Sequence, residues 1–108
     1  MTAAAVVASL EEHGVGRLAK LQLKFVNDVF LNGKKVCGVL SKCETIPHSD
    51  NFKLMIGIGV NLNTLPHHYS DLRVATSVLI ETGMRVSIAD FAETLAKNLL
   101  SNFDILET

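Results

Sequence analysis

The chain has 108 residues, of which 48% are hydrophobic, so it is long enough for one domain with a packed core and too short for two. Ten Lys and Arg residues stand against eleven Asp and Glu residues, which gives a formal net charge of −1. This balance argues against a nucleic-acid partner, because proteins that bind nucleic-acid phosphates usually carry a clear basic excess. The sequence has no run of about 18 apolar residues, so no membrane span is predicted.

The N-terminal segment and the two cysteines predict a cytoplasmic protein. Residues 1–10 are apolar, but no basic residue precedes them and Glu11 follows at once, so a secretory signal is not predicted. We interpret these residues as the buried face of a helix. Cys37 and Cys43 lie six residues apart in one predicted strand, a separation of roughly 20 Å that prevents a disulfide. Reduced cysteines are typical of the cytoplasm.

The first part of the chain predicts a helix and then a hairpin. Residues 2–13 are rich in Ala, Val and Leu, and the glycine that follows them favours a helix end. A short strand is predicted over residues 21–25. The apolar residues 29–31 lead into Asn32-Gly33, which is typical of a hairpin turn because both residues tolerate positive φ. The returning strand is expected over residues 34–43.

The next part predicts two loops around a long strand. Residues 44–51 are polar and predict an exposed loop. Residues 52–63 are dense in Ile, Val and Leu and predict a strand. Residues 64–72 hold a proline and two histidines, and we interpret them as a second loop.

The last part predicts two helices. Thr76 or Ser77 is expected to cap a short helix that ends at Gly83. Ser87 and Asp90 have the spacing of a capping box at the start of the final helix. One apolar face of that helix is expected to be formed by Ile88, Phe91, Leu95, Leu99, Phe103 and Leu106. The order of one helix, three strands and further helices predicts an α+β fold with antiparallel pairing.

Polar residues interrupt the apolar strand segments around the predicted hairpin. Lys24, Asn27 and Asp28 stand where the chain is expected to bend, and Lys34 and Lys35 follow across the turn. Both edges of one hairpin therefore present cations. Taken alone, Asn27 and Asp28 fit an ordinary turn pair, and Lys34 and Lys35 fit a solvated strand edge that resists aggregation.

Small and amide residues alternate with aliphatic residues in the predicted strand over residues 52–63. Because alternate residues of a strand share a face, one face carries Gly57, Gly59, Asn61 and Asn63. The aliphatic face is expected to contact the helices. Bare backbone on the other face permits close approach by a flat ligand, and an amide can donate to and accept from a purine edge. Taken alone, the glycines also fit a bulge and the asparagines a turn.

Together these segments resemble the biotin–protein ligase family, in which Lys, an aromatic residue, Pro, Asn and Asp precede a strand, a turn, a basic pair and a Gly-aliphatic-Leu strand. The matching residues are Lys24, Phe25, Asn27, Asp28, Lys34, Lys35, Gly38, Val39 and Leu40. Residues 57–63 are similar to the family's Gly-Ile-Gly-aliphatic-Asn-aliphatic-Asn strand, and residues 75–83 to its Thr-Ser-Leu stretch. The resemblance covers about residues 3–106, with Val26 in place of the family's proline.

The resemblance implies a mostly antiparallel sheet packed against helices, part of a class II aminoacyl-tRNA synthetase and biotin ligase-like fold. Residues 1–108 are then a single, partial catalytic domain. The family's arginine- and glycine-rich loop, which closes over biotin and the adenylate, is expected outside this chain, and residues 14–17 are interpreted as a helix stop. A partial domain predicts an exposed sheet edge, available to a second copy or a complementing chain.

The family joins biotin to ATP as biotinyl-adenylate and passes the biotin to a lysine of a carboxylase's biotin carboxyl carrier domain. The resemblance implies that Lys35 is catalytic and offsets the repulsion between the biotin carboxylate and the α-phosphate. Lys24 is expected to assist with the phosphates or to hold the loop. Asn27 and Asp28 are expected to face phosphate, ribose or Mg²⁺, a cation that prefers oxygen ligands.

The remaining implied contacts come from backbone and amide groups. Gly38 and Val39 are expected to line the biotin tail, Gly57 and Gly59 to leave room for the nucleotide, and Asn61 to recognise the adenine edge. No protein metal site is predicted, because the histidines do not have ligand-like spacing with the cysteines. The alternatives are a lipoate ligase-like protein and a non-catalytic nucleotide-binding or interaction module.

Overall fold

A computed structural model describes residues 2–24 and 27–107, with side chains up to residue 101. Four strands form one antiparallel sheet in the order β1-β2-β3-β4: β1 (Leu21–Lys24), β2 (Asp28–Leu31), β3 (Lys34–Thr45) and β4 (Phe52–Val60). The predicted antiparallel pairing is confirmed. The expected number of three strands is wrong, because β2 pairs with β1 as well as with β3 and is a strand of its own.

The described residues also form three α-helices: α1 (Thr2–Glu12), α2 (Val78–Thr82) and α3 (Ile88–Glu107). Short 3₁₀ helices cover Val15–Arg17 and Pro66–His68. The second of these lies inside the segment that was expected to be a loop, and it begins at Pro66, whose fixed φ suits a first helical position. None of the helices in the described residues is long and apolar enough to cross a membrane.

The local signals for the hairpin turn and for the two ends of α2 are confirmed, and the capping box of α3 is confirmed for the hydrogen bond accepted by Ser87. Asn32 and Gly33 have φ values of 52° and 80°, as the hairpin between β2 and β3 requires. Ser77 caps α2 by accepting a hydrogen bond from a backbone N–H, and Gly83 ends α2 with a φ of 73°. The Ser87 hydroxyl accepts a hydrogen bond from a backbone N–H in the first turn of α3 at 3.3 Å.

Two strand ends differ from their expected positions. β3 continues to Thr45, so the connection to β4 is only residues 46–51. β4 ends at Val60, three residues before the expected end, because the two asparagine side chains that follow bind other segments. The amide of Asn61 donates to the Thr76 carbonyl oxygen at 3.1 Å, and that of Asn63 exchanges two hydrogen bonds with the backbone of Val86.

The core lies between α1 and one face of the sheet, and α3 packs on α1. Its buried side chains include Val6, Leu10, Val15, Val29, Leu31, Val36, Leu62, Val78 and Phe91. Ile88 was expected on the buried face of α3 but is 68% exposed, at the first position of the helix. The side chains of Phe103 and Leu106 lie outside the described residues. Cys37 and Cys43 are both free thiols in β3, as expected.

Candidate functional site

A β-bulge places Lys35 on the face of the sheet opposite the core. Val29 pairs with Cys37, but Phe30 pairs with Lys35, so Val36 is an extra residue in β3. In a regular strand, residues three apart point to opposite faces. The extra residue brings the Lys35 side chain to the same face as Gly38.

The Lys35 side chain lies directly over Gly38. A Cβ atom at Gly38 would be 3.2 Å from Lys35 Cε and 3.3 Å from Lys35 Nζ. The ammonium is also 3.3 Å from Asp28 Oδ1, and Asp28 is the residue opposite Gly38 in the strand register. Both charged side chains are more than a third exposed, so the ion pair adds at most about 1 kcal/mol of stability. The ammonium therefore stays accessible to an anionic ligand.

Three glycines form a strip beside Lys35 on the open face, which also carries the exposed side chain of Leu40. Gly38 pairs with Gly59, and Leu40 pairs with Gly57, so the glycines are adjacent on the open face. A Cβ at Gly59 would have no neighbour within 4 Å, and one at Gly57 would meet only the Leu40 carbonyl oxygen at 3.6 Å. No helix of the described residues covers this strip.

The charged pair and the glycine strip form an open cleft of about 550 Å³. Its lining residues are Asp28, Lys35, Gly38, Val39, Leu40, Gly57, Ile58 and Gly59. Six of the predicted site residues are thus brought together. The cleft is about the size of a small-molecule site.

Three other predicted site residues lie beside this cleft rather than in its lining. Lys24 is opposite Asp28 in the register, and its ammonium is 4.4 Å from the centre of the Phe30 ring, a cation–π contact. The Asn27 carbonyl oxygen accepts a hydrogen bond from the Val39 N–H at 3.1 Å. The Val39 N–H is therefore engaged in the fold. Asn61 follows the end of β4 and is hydrogen-bonded to Thr76.

A second groove of about 610 Å³ lies beyond the end of β4 and was not predicted from the sequence. It is lined mainly by apolar side chains: Val60, Leu62, Asn63, Thr64, Leu65, His68 and Ile88. It does not include any of the predicted site residues. Among the described residues, no group of three or more His, Cys, Asp or Glu side chains could hold a metal ion.

Comparisons with known proteins agree on one family, although no protein-family model matches the sequence. The bifunctional ligase/repressor BirA of Bacillus subtilis is 32% identical over 93 residues, which are 82% of this chain and 27% of BirA. The biotin protein ligase of Aquifex aeolicus, solved in complex with biotin and ATP, is 28% identical with a TM-score of 0.72 over 95% of this chain and 40% of that chain. The chain belongs to the biotin protein ligase family.

A third relative agrees with this assignment. The biotin protein ligase of Leishmania major, solved in complex with biotinyl-5-AMP, is 27% identical with a TM-score of 0.61 over 89% of this chain and 42% of that chain. This biotin protein ligase family member spans about two fifths of the solved relatives and about a quarter of BirA. The predicted family and sheet-and-helix architecture are confirmed. The relation to class II aminoacyl-tRNA synthetases and the roles of individual site residues stay predictions.

Proposed function

We propose that the chain forms the nucleotide side of a biotin protein ligase site. The complete reaction activates biotin with ATP to biotinyl-AMP, with release of pyrophosphate, and transfers the biotin to a lysine of a biotin carboxyl carrier domain, with release of AMP. One observation carries the proposal: the Lys35 ammonium lies over Gly38, at the edge of the glycine strip that Gly38 forms with Gly57 and Gly59. A cation beside bare backbone suits a flat, anionic ligand such as an adenylate.

The site residues fit the chemistry of an adenylylation step. ATP supplies the adenylyl group, and its α-phosphate must approach the biotin carboxylate, an anion. The Lys35 ammonium offsets that repulsion and stabilises the charge that develops in the transition state. Asp28 holds the ammonium from one side at 3.3 Å. Its carboxylate oxygens also suit Mg²⁺ carried by the ATP phosphates.

The neighbouring residues extend the same proposal. Lys24 is held over the Phe30 ring close to the open face, where it assists with the phosphates. Asn27 fixes the backbone of Val39, beside the space proposed for the biotin tail. Asn61 uses its Nδ2 for Thr76, so its Oδ1 is the atom that we propose for the adenine edge. The carrier domain and a cytoplasmic location are part of this proposal.

Isothermal titration calorimetry of the purified chain with ATP, biotin and biotinyl-adenylate tests the proposal. We expect ATP to bind and biotinyl-adenylate to bind more tightly, because it fills both parts of the cleft. Binding of ATP without any affinity for biotin or biotinyl-adenylate would favour the non-catalytic nucleotide-binding module. Binding of none of the three would refute a ligand site in this cleft. Lipoyl-adenylate, titrated in parallel, distinguishes the lipoate ligase alternative.

A further inference from the structure

Glu81 is a largely buried carboxylate at the centre of a polar cluster on the far side of β3 from the cleft. Its side chain is 9% exposed and accepts hydrogen bonds from the Thr76 hydroxyl at 2.6 Å and from Asn32 Nδ2 at 3.0 Å. Lys34 Nζ lies 3.6 Å from the same carboxylate. A buried charge with this many partners holds the segments that supply them in fixed positions.

The charge of Glu81 persists at neutral pH. Burial by itself raises the pKa of Glu81, but the hydrogen bonds from Thr76 and Asn32 and the positive charge of Lys34 outweigh it and hold the pKa below its usual value. The cluster therefore keeps its ionised acceptor throughout the neutral range.

Thr76 connects this cluster to both sides of the candidate site. Its N–H donates to the Lys35 carbonyl oxygen at 3.0 Å, and its own carbonyl oxygen accepts from Asn61 Nδ2 at 3.1 Å. The Lys35 N–H donates to the Val74 carbonyl oxygen at 2.9 Å, which completes a short parallel bridge. Thr76 is fully buried, so its hydroxyl has no water to replace Glu81. One residue thus joins the proposed catalytic lysine to the proposed adenine-binding asparagine.

We infer that Glu81 is a positioning residue that acts through Thr76 to set the positions of Lys35 and Asn61 relative to each other. The negative charge is on the core side of the sheet, away from the ammonium, so Glu81 orients the lysine backbone without neutralising its charge. The predicted effect of Glu81 on ligand binding rests on the function proposed above. Its predicted effect on the positions of Lys35 and Asn61 applies to the ligand-free chain as well.

The test compares three variants and one matched control variant with the unmodified chain. Thr76→Val removes the hydroxyl at nearly constant volume, Thr76→Ser restores it, and Glu81→Gln removes the charge. Glu93→Gln is the matched control, because Glu93 is an exposed glutamate of α3 that is paired only with Lys97 among the described residues. Two readouts are used: ATP affinity by calorimetry, and the nuclear Overhauser effect between the Lys35 ε protons and the Gly38 α protons.

We expect Thr76→Val and Glu81→Gln to lower ATP affinity by about tenfold, in the range of measured couplings between residues that do not contact the ligand. Both should weaken the Lys35–Gly38 Overhauser effect, while Thr76→Ser and Glu93→Gln keep wild-type values for both readouts. A role in stability alone would lower the melting temperature and leave the Overhauser effect and the affinity of the folded chain unchanged. That result, in either variant, overturns the inference.

The two readouts separate this inference from the proposed function. If the unmodified chain binds no ATP, the proposed function fails, and the Overhauser effect alone decides the positioning role. Its loss in Glu81→Gln then supports that role, and its persistence refutes it. Should Thr76→Val fail to fold, the Glu81→Gln variant gives the decision by the same two measurements.

Discussion

Lys35 and Gly38 act as one unit, because the side chain of the first occupies the space above the second. The ammonium is positioned by an ion pair with Asp28 and by the absence of a Cβ atom at Gly38. The ion pair contributes little to the free energy of unfolding, since both charges are partly exposed. Changes at these residues should therefore affect ligand binding far more than folding.

Lys35→Ala should abolish biotinyl-adenylate formation in any complete enzyme that contains this segment, because the cation that offsets the carboxylate–phosphate repulsion is lost. In the chain itself we expect ATP affinity to fall by at least about tenfold. Calorimetry and an adenylate-formation assay measure the two effects. Lys42→Ala is the matched control, since Lys42 is an exposed lysine of the same strand, paired with Glu44. A near-normal rate of adenylate formation in Lys35→Ala would remove Lys35 from the mechanism.

Gly38→Ala should displace the Lys35 ammonium without unfolding the chain. The new Cβ would lie 3.2 Å from Lys35 Cε, the flexible end of a side chain that can move, so we expect the free energy of unfolding to change by less than about 1 kcal/mol. ATP affinity should fall by about tenfold. Gly59→Ala is the comparison for the Overhauser effect alone, because its Cβ meets no atom within 4 Å and leaves Lys35 in place. Unchanged Lys35–residue 38 Overhauser effects in Gly38→Ala would contradict this account.

The Cys37 thiol should be chemically inert although it lies next to the site. Burial raises the pKa of Cys37 to about 11, helped by the negative charge of Asp28 and opposed by Lys35. The thiolate needed for alkylation is therefore scarce near pH 8. We expect iodoacetamide to label the exposed Cys43 first, as mass spectrometry of the intact chain and its peptides will show. Equal labelling rates at the two cysteines would contradict the burial of Cys37.

The raised pKa of Cys37 also predicts how the stability of the folded chain changes with pH. The unfolded thiol loses its proton near its ordinary pKa of 9.0, whereas the folded thiol keeps it to about pH 11. The stability that comes from burying the neutral thiol is therefore fully present below pH 9.0 and is lost as the pH rises towards 11. Denaturant unfolding of the chain and of Cys37→Ala measures the difference.

At the scale of elements, helix α3 packs mainly on α1. Phe91 is 3% exposed, and its ring lies 5.5 Å from the His13 ring at the end of α1. Asn98 of α3 donates hydrogen bonds to Ser9 and Glu12 of α1. The apolar periodicity of α3 was predicted from the sequence, but the contact of its face with α1 comes from the tertiary structure.

Phe91→Ala should destabilise the chain by about 3–5 kcal/mol, because it leaves a cavity between α1 and α3. Ile88→Ala is the matched control on the same helix: Ile88 is 68% exposed, so its truncation should change the free energy of unfolding by less than about 0.5 kcal/mol. Urea unfolding followed by circular dichroism measures both values. Similar losses for the two variants would mean that α3 packs through another face.

At the scale of the whole molecule, the β3–β4 hairpin projects beyond the helices. The longest dimension of the molecule is 50 Å, and residues 41–55 are exposed. Within the described residues β4 pairs only with β3, so its other edge is open. By strand alternation, Phe52, Leu54 and Ile56 continue the core face of the sheet past the point where the helices end. An open edge next to exposed apolar side chains favours association.

We expect the chain to self-associate through this projecting hairpin, with a sedimentation coefficient that rises with concentration. Leu54→Lys places a charge in the apolar row and should shift the equilibrium towards monomer. Met55→Lys is the matched control, because Met55 is equally exposed but points to the opposite face. Sedimentation velocity of the three proteins gives the measurement. Equal association of the Leu54→Lys variant and the unmodified chain would exclude this face.

The sequence by itself determined the features that depend on neighbouring residues. The Asn32-Gly33 turn and the Ser77 and Ser87 caps follow from backbone preferences and side-chain hydrogen bonds within a few residues. The alternation at Gly57 and Gly59 follows from the two-residue period of a strand, and the family resemblance from residues in order along the chain.

Only the tertiary structure decided which predicted residues meet. The bulge at Val36 brings Lys35 over Gly38, and Asn61 donates to the Thr76 carbonyl oxygen beside the cleft rather than in its lining. A role for Glu81 was not predicted from the sequence, because its hydrogen-bond partners come from the hairpin turn and from the residues before α2. These arrangements arise from contacts between residues far apart in the chain, and local propensity does not encode them.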